Sequence, residues 1–336
     1  MSVPRPPLLF ALSESQALGA SIAQAAQLKL APLEERSFEE GEFKLRPLLS
    51  VRDRTVFVVQ SLASSATAPV TQRLVRLLFL LFGLHDAGAR RVIALVPYLA
   101  FARKDRRTQT RDPVNSRYVA QLLEATGIAR LVALDVHNPG ALDNAFRIPV
   151  DHLSALPLFV DHFARQGFTL PLAVASPDVG GIKRAQIFRE LLERRLGREV
   201  ELAFIEKRRA SGVVLSGRVV GEVNAREVLV LDDLCASGGT LIRAATALRE
   251  AGARAVHVAF THAPLRRGLE ALTADENIAQ VVLTDSVGPD LCAFLSATTK
   301  ATVLPVGPLL GEALGRMLTG VPLAPLLENW PPAAAG

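Results

Sequence analysis

Residues 228–241 read VLVLDDLCASGGTL. Val228 to Leu231 form an apolar run that ends on two adjacent acids, Asp232 and Asp233. A small polar turn, Ser237-Gly238-Gly239-Thr240, follows and opens a stretch in which Leu241, Ala245 and Leu248 recur at helical spacing. Gly252 stands where a helix C-terminus is expected to be capped. The order strand, acid pair, glycine turn, helix is a building block of parallel α/β sheets, in which ligands bind outside the C-terminal ends of the strands. Asp232 and Asp233 can accept hydrogen bonds from vicinal sugar hydroxyls, while Ser237 to Thr240 offer backbone N–H groups and hydroxyls to a phosphate. Glycines at 238 and 239 let the backbone take positive φ and approach phosphate oxygens closely. The helix N-terminus adds partial positive charge, so the segment suits a phosphorylated ribose.

The same alternation runs through the chain. Apolar strand-like runs at Arg54 to Gln60, Arg91 to Pro97, Arg130 to Val136, Leu172 to Ser176, Val228 to Leu231, Ala255 to Thr261 and Gln280 to Leu283 are separated by stretches with helical periodicity. This predicts an α/β fold with mostly parallel sheets flanked by helices. Ala87-Gly88-Ala89-Arg90 leads into VIALVPY and Ala251-Gly252-Ala253-Arg254 into VHVAFTH, a faint repeat that predicts two similar domains. We place the boundary near residue 155, giving domains at 1–155 and 156–310 and a C-terminal tail at 311–336.

At 336 residues and 49% hydrophobic content, the chain can bury two cores. Leu77 to Leu84, between Arg76 and His85, is far shorter than the ~20 residues of a membrane span and reads as a helix buried on most sides. The N-terminal residues MSVPRPPLLFALSES carry no export pattern, so a cytoplasmic location is expected. Cys235 and Cys292 fit neither a disulfide framework nor a metal spacing and are expected to be reduced. A net charge of +5 and 5% aromatics argue against nucleic acid and for small anions as partners.

Other segments carry candidate chemistry. In SPDVGGIKR, Asp178 ends a strand, Gly180 and Gly181 turn, and Lys183 and Arg184 fall in the first turn of the next helix. Cations there oppose the helix dipole unless an anion is nearby, which suggests a second phosphate or pyrophosphate pocket. Arg103 to Arg111, RKDRRTQTR, holds five basic residues around Asp105 and fits a polyphosphate. Asp135-Val136-His137 closes another strand, where His137 could hold a metal or stabilise developing charge. Lys207 and Arg209 open a segment, Arg208 to Gly221, that reads as a loop or hairpin and could place cations on a lid. No Gly-x-x-x-x-Gly-Lys-Ser/Thr sequence occurs, which excludes an ordinary P-loop.

Taken in order, residues 35 to 290 resemble the ribose-phosphate pyrophosphokinase family, the phosphoribosyl pyrophosphate synthetases. Phe38-Glu39-Glu40-Gly41-Glu42 is similar to the family's Phe-x-Asp-Gly-Glu element, and PYLAFARKDRRTQTRDPV to its Pro-Tyr-x-x-Tyr-Ala-Arg-Gln-Asp-Arg stretch. The resemblance implies two phosphoribosyltransferase-type domains and assigns Phe38, Glu40, Glu42, Arg103, Lys104 and Asp105 to ATP. It gives Asp178, Gly180 and Gly181 to pyrophosphate, and Asp232, Asp233, Ala236, Ser237, Gly238, Gly239 and Thr240 to ribose 5-phosphate. It implies that His137 and Asp178 position Mg²⁺, that Lys207, Arg209 and His137 are catalytic, and that the chain forms a homo-oligomer, either a dimer or a hexamer built from dimers.

The implied activity is diphosphoryl transfer from ATP to the anomeric hydroxyl of ribose 5-phosphate, giving phosphoribosyl pyrophosphate and AMP. Departures from the family pattern are Ala236 for its usual Asp, Ser237 for Thr, Lys104 for Gln, Glu40 for Asp, and GALDNAF after Pro139. Ala236 and Ser237 are similar to a plant branch with relaxed nucleotide donors. Competing readings are a phosphoribosyltransferase, which Ala236 and the duplicated length oppose, and a non-catalytic nucleotide-binding homologue, which the retained His137, Lys207 and Arg209 oppose.

Overall fold

A computed structural model describes residues 5–65, 68–206, 209–210, 213–214, 217–288 and 298–329. The chain divides into two compact units that break after Leu153, and Pro305–Leu323 belongs to the first.

The first unit is built on a five-stranded sheet. Its strands β1 (Leu8–Ala11), β4 (Thr55–Val59), β5 (Arg91–Val96), β6 (Arg130–Leu134) and β7 (Val150–Leu153) lie in that spatial order. All are parallel, with Phe57 opposite Leu9 on one side and Ile93 on the other. Strands β1, β4, β5 and β6 are buried on both faces, so their sequences are nearly continuous apolar runs, whereas the edge strand β7 is partly exposed and carries Asp151 and His152. A separate antiparallel hairpin joins β2 (Leu33–Ser37) to β3 (Phe43–Pro47). It is polar, and its Glu34 pairs with Arg46 across the strands at 2.5 Å.

Helix α2 (Val70–Asp86) contains the apolar run 77–84, but only one face is covered. Leu77, Leu80, Leu81 and Leu84 are buried, whereas Phe79 is 59% exposed and Phe82 42%. The reading of a helix buried on most sides is therefore corrected to an amphipathic helix with an apolar outer face.

The second unit holds a seven-stranded sheet ordered β12-β9-β8-β13-β14-β15-β16, with strands β8 (Leu172–Ser176), β9 (Val200–Glu206), β12 (Arg218–Val220), β13 (Glu227–Leu234), β14 (Ala255–His262), β15 (Gln280–Thr284) and β16 (Ala301–Leu304). Only β12 is antiparallel to its neighbour. The sequence repeat marks equivalent joints in the two units. Gly88 (φ +81°) and Gly252 (φ +93°) each turn the chain out of a helix, α2 and α7 (Gly239–Glu250), and into β5 and β14. Aligning β5 with β14 matches the order β1-β4-β5-β6-β7 to β8-β13-β14-β15-β16, so one strand order is used twice.

Residues 307–319 form a helix that spans the 310/311 division drawn from the sequence. Leu309, Leu310, Ala313 and Leu314 are buried. It packs on α1 (Gln16–Ala25) through small residues: a Cβ on Gly311 would lie 2.5 Å from the Ala25 Cβ. What reads as the start of a tail is thus core of the first unit. Among the described residues no helix is long and apolar enough to cross a membrane.

Candidate active site

In the second unit, two glycine-containing turns sit at the C-terminal ends of adjacent parallel strands. Strand β13 pairs with β8, with Ala175 opposite Val230. The turn after Ser176 therefore emerges beside Asp232 and Asp233.

The first turn is shaped by Asp178. Its carboxylate caps the single helical turn Val179–Gly181, accepting from the N–H of Gly180 at 3.0 Å and of Gly181 at 3.3 Å. The Ser176 hydroxyl donates to the Asp178 carbonyl at 2.6 Å. A Cβ on Gly181 would come within 2.5 Å of the Ser176 Oγ, so the close approach requires glycine. The next helix, α6 (Ile182–Leu196), begins at this turn. Lys183 is exposed, and Arg184 reaches the acid pair: Nη1 lies 3.1 Å from Asp233 Oδ1 and 3.6 Å from Asp232 Oδ1. The anions offsetting this cation at the helix start are the two acids of the neighbouring strand.

Asp233 is buried, and Asp232 is partly so. The Asp232 carboxyl is pushed up to about 8, first by burial, then by the adjacent Asp233 charge, with Arg184 opposing the rise. Beyond them, Gly238 adopts φ +78° and supplies the carbonyl of the first helical bond, accepting from the N–H of Ile242 at 2.9 Å. No side chain caps α7, and no acid lies in its first turn, so the helix start favours an anion. Gly239 is already helical and does not use positive φ; a Cβ there would meet Arg243 Nη1 at 3.2 Å, the tip of a flexible side chain that can shift. Arg243, one turn into the helix, folds back toward this cradle. Sequence reading missed it because a lone exposed arginine carries no local signal.

From behind, helix α8 (Arg266–Ala274) supports the loop. A Cβ on Gly268 would lie 2.5 Å from the Ala236 carbonyl oxygen. Cys235 is buried there, its N–H donating to the His262 carbonyl at 2.8 Å, and burial pushes its thiol up to about 12, which makes it inert.

The first unit carries the other candidate residues. Phe38 and Glu42 close the β2–β3 hairpin tip, the Phe38 N–H donating to the Glu42 carbonyl at 2.8 Å, with Gly41 at φ +91°. The Arg36 guanidinium stacks 5.0 Å from the Phe38 ring centroid, while Glu40 and Glu42 are exposed. After β5, Phe101 takes φ +64°, and Arg103 follows, exposed. Lys104 is tied to Asp112, whose carboxylate also accepts from the N–H groups of Thr108 and Gln109 at 2.9 and 3.0 Å. These bonds hold the Asp112 carboxyl well below the usual range, the Lys104 bond most strongly.

Asp105 accepts from Asn138 Nδ2 at 2.6 Å, which joins the basic loop to the residue after His137. Asn138 caps α4 (Pro139–Ala145), accepting from the Ala141 N–H at 3.2 Å. His137 is exposed at the end of β6, just after Asp135, a buried residue held at φ +38°. Positive φ thus occurs at Asp135, the residue after β6, and at Phe101, five residues after β5.

Lys207 lies outside the described residues. The backbone of Arg209 pairs in a short antiparallel ladder, Arg209 opposite Val214, which agrees with a hairpin in 208–221; its side chain is outside the description. Cys292 is also outside it. Among the described residues no three or more His, Cys, Asp or Glu gather as a metal cluster. The donors nevertheless suit Mg²⁺, which prefers oxygen, keeps waters and is completed by substrate phosphates, so the Asp178 carboxylate fits it better than the His137 nitrogen does.

The profile of the N-terminal domain of ribose phosphate pyrophosphokinase matches residues 8–127, and that of the phosphoribosyl transferase domain matches residues 159–289. The chain is 33% identical over 322 residues to the ribose-phosphate pyrophosphokinase of Hyphomonas neptunium, spanning 96% of this chain and 99% of that one. It is 35% identical over 310 residues to that of Granulibacter bethesdensis, spanning 92% and 96%. The crystal structure of the Mycobacterium smegmatis phosphoribosylpyrophosphate synthetase superposes with a TM-score of 0.83 at 29% identity, covering 94% of this chain and 100% of that one. These relatives are bacterial, and they lend no support to the plant-branch likeness read from Ala236 and Ser237. With both domains matched and identity above 30% along nearly its whole length, this chain belongs to the ribose-phosphate pyrophosphokinase family.

Proposed function

We propose that the chain transfers the β,γ-diphosphoryl group of ATP to the C1 hydroxyl of ribose 5-phosphate, giving phosphoribosyl pyrophosphate and AMP. The observation that carries this reading is the pairing of two glycine turns, Asp178–Gly181 and Asp232–Thr240, at the ends of adjacent parallel strands.

In this reading the 5-phosphate sits on the open N-terminus of α7, among the N–H groups of Gly238 to Thr240 and the hydroxyls of Ser237 and Thr240. Asp232 and Asp233 accept from the ribose hydroxyls and orient C1. Gly180 and Gly181 receive the diphosphoryl oxygens. The C1 oxygen attacks the β-phosphorus in line, its bond to the bridging oxygen of AMP breaks, and the hydroxyl proton leaves to solvent. Phe38, Glu40, Glu42 and Arg103 hold the nucleotide, and Lys207 and Arg209 offset the charge that grows on the transferred group. Lys104 and Asp105 act less directly, since they brace the loop through Asp112 and Asn138. Asp178 and His137 are the residues that would position Mg²⁺, which would supply neutralisation of polyphosphate charge when bound.

We assign a homo-oligomer as the working form; the exposed Val75, Phe79 and Phe82 on α2 give it an apolar surface to bury. The test of the activity is AMP release from ATP by the purified chain. It should require ribose 5-phosphate and fall at least 100-fold in Lys207→Ala. AMP release independent of ribose 5-phosphate, or pyrophosphate release from activated ribose plus a nucleobase, would contradict it.

A further inference from the structure

We propose that Arg184 is the positioning residue for the ribose-binding acids, fixing Asp232 and Asp233 and tying them to the pyrophosphate turn. The inference rests on the assignment of ribose 5-phosphate to Asp232–Thr240 above. Arg184 is the third residue of α6, whose N-terminus is the Asp178–Gly181 turn. Its Nη1 meets both carboxylates, at 3.1 Å for Asp233 and 3.6 Å for Asp232. The same nitrogen passes 4.0 Å from where a Gly181 Cβ would stand, so the guanidinium lies against the turn and the acid pair at once.

Carboxylates on consecutive residues repel each other, and here one is buried and the other half-buried. Burial and mutual repulsion both favour protonating one of them, and Asp232 is shifted in that direction. A protonated or rotated carboxyl presents a different pattern to vicinal hydroxyls than two ionised ones in fixed positions. Arg184 opposes both effects, because a planar guanidinium offers several N–H donors in rigid geometry. A lysine reaching the same place would keep the charge and lose that geometry.

A surface ion pair of purely structural value would affect both substrates alike or neither. The test varies each substrate at saturation of the other, in the full-length chain and in R184M and R184K, and follows melting temperature alongside. R184M is expected to raise KM for ribose 5-phosphate at least tenfold while KM for ATP stays within twofold, and R184K to recover part of the loss. D233N should raise the same KM, and adding R184M to it should raise it little further, because the arginine acts through that acid. Unchanged KM for ribose 5-phosphate in R184M, or equal losses for both substrates, overturns the proposal. If R184M does not fold, R184K decides: a raised KM for ribose 5-phosphate at an unchanged melting temperature supports the role, and an unchanged KM overturns it. If the unmodified chain shows no ribose 5-phosphate-dependent AMP release, the assignment of the site falls and this inference with it. If the unmodified chain is active and R184M behaves like it, only the role of Arg184 falls.

Discussion

The carboxylate of Asp178 accepts from the backbone N–H of Gly180 at 3.0 Å and of Gly181 at 3.3 Å, so the acid occupies the N–H groups that the proposed function gives to diphosphoryl oxygens. Engaging a polyphosphate there requires Asp178 to release the turn and face the cation. Its two tasks, capping and metal positioning, can be separated. Asp178→Asn keeps a capping oxygen and should leave stability within ~0.5 kcal/mol, while Asp178→Ala should cost ~1 kcal/mol. Both should lower turnover by about 100-fold, since neither supplies a charged oxygen to a cation. Thermal melts read beside rates at saturating Mg²⁺ check this; an Asn variant with near-normal turnover would remove Asp178 from the chemistry.

Gly268 touches no substrate in our account, yet it sets the height of the Asp232–Thr240 loop. In Gly268→Ala the new Cβ would stand 2.5 Å from the Ala236 carbonyl oxygen, a backbone atom that moves only with its loop. We expect a loss of ~1–3 kcal/mol in stability. KM for ribose 5-phosphate should rise several-fold with KM for ATP unchanged. Steady-state kinetics and a denaturant melt test both halves of this expectation.

The raised Asp232 carboxyl makes two pH predictions for the ligand-free protein. Its folded-state value, about 8, exceeds its ordinary value of 3.8, so the folded state retains a proton that the unfolded chain releases in between. That contribution to stability is full below ~4 and is lost as pH rises toward ~8. Ribose 5-phosphate should instead bind better over the same rise, as the acid becomes an acceptor. From pH 6 to 9 the melting temperature should fall while KM for ribose 5-phosphate also falls, and Asp232→Asn should flatten both.

Asp112 organises the basic loop through Lys104, Thr108 and Gln109. Asp112→Ala should loosen residues 103–111 and raise KM for ATP about tenfold, leaving KM for ribose 5-phosphate within twofold. An unchanged KM for ATP would show that the loop order serves no nucleotide.

Much of this fold is written in local pattern. The apolar run Leu172 to Ser176 predicts a strand and β8 occupies those residues, because parallel strands buried on both faces must be apolar throughout. The Ala-Gly-Ala-Arg repeat marks two equivalent helix ends, each with a glycine at positive φ. Hairpin β2–β3 has no strand pattern in the sequence, since Leu33–Ser37 is mostly charged and is held by a cross-strand partner twelve residues away, Arg46 on Glu34. The helix over 307–319 looked peripheral because the face that covers it, on α1, lies near the start of the chain. The candidate anion turns could be located from glycines and acids at strand ends. Arg184 shows the limit: sequence places a cation at a helix start but not the acids of the adjacent strand that receive it. Asn138 with Asp105 is a similar long-range bond, invisible until the loops are folded.

The most direct test of the central claim is a crystal structure with ribose 5-phosphate and an unreactive ATP analogue. The account predicts the 5-phosphate on the N–H groups of Gly238 to Thr240 and the ribose hydroxyls within hydrogen-bond distance of Asp232 and Asp233. A sugar phosphate bound elsewhere, with that glycine turn holding only solvent, would contradict it.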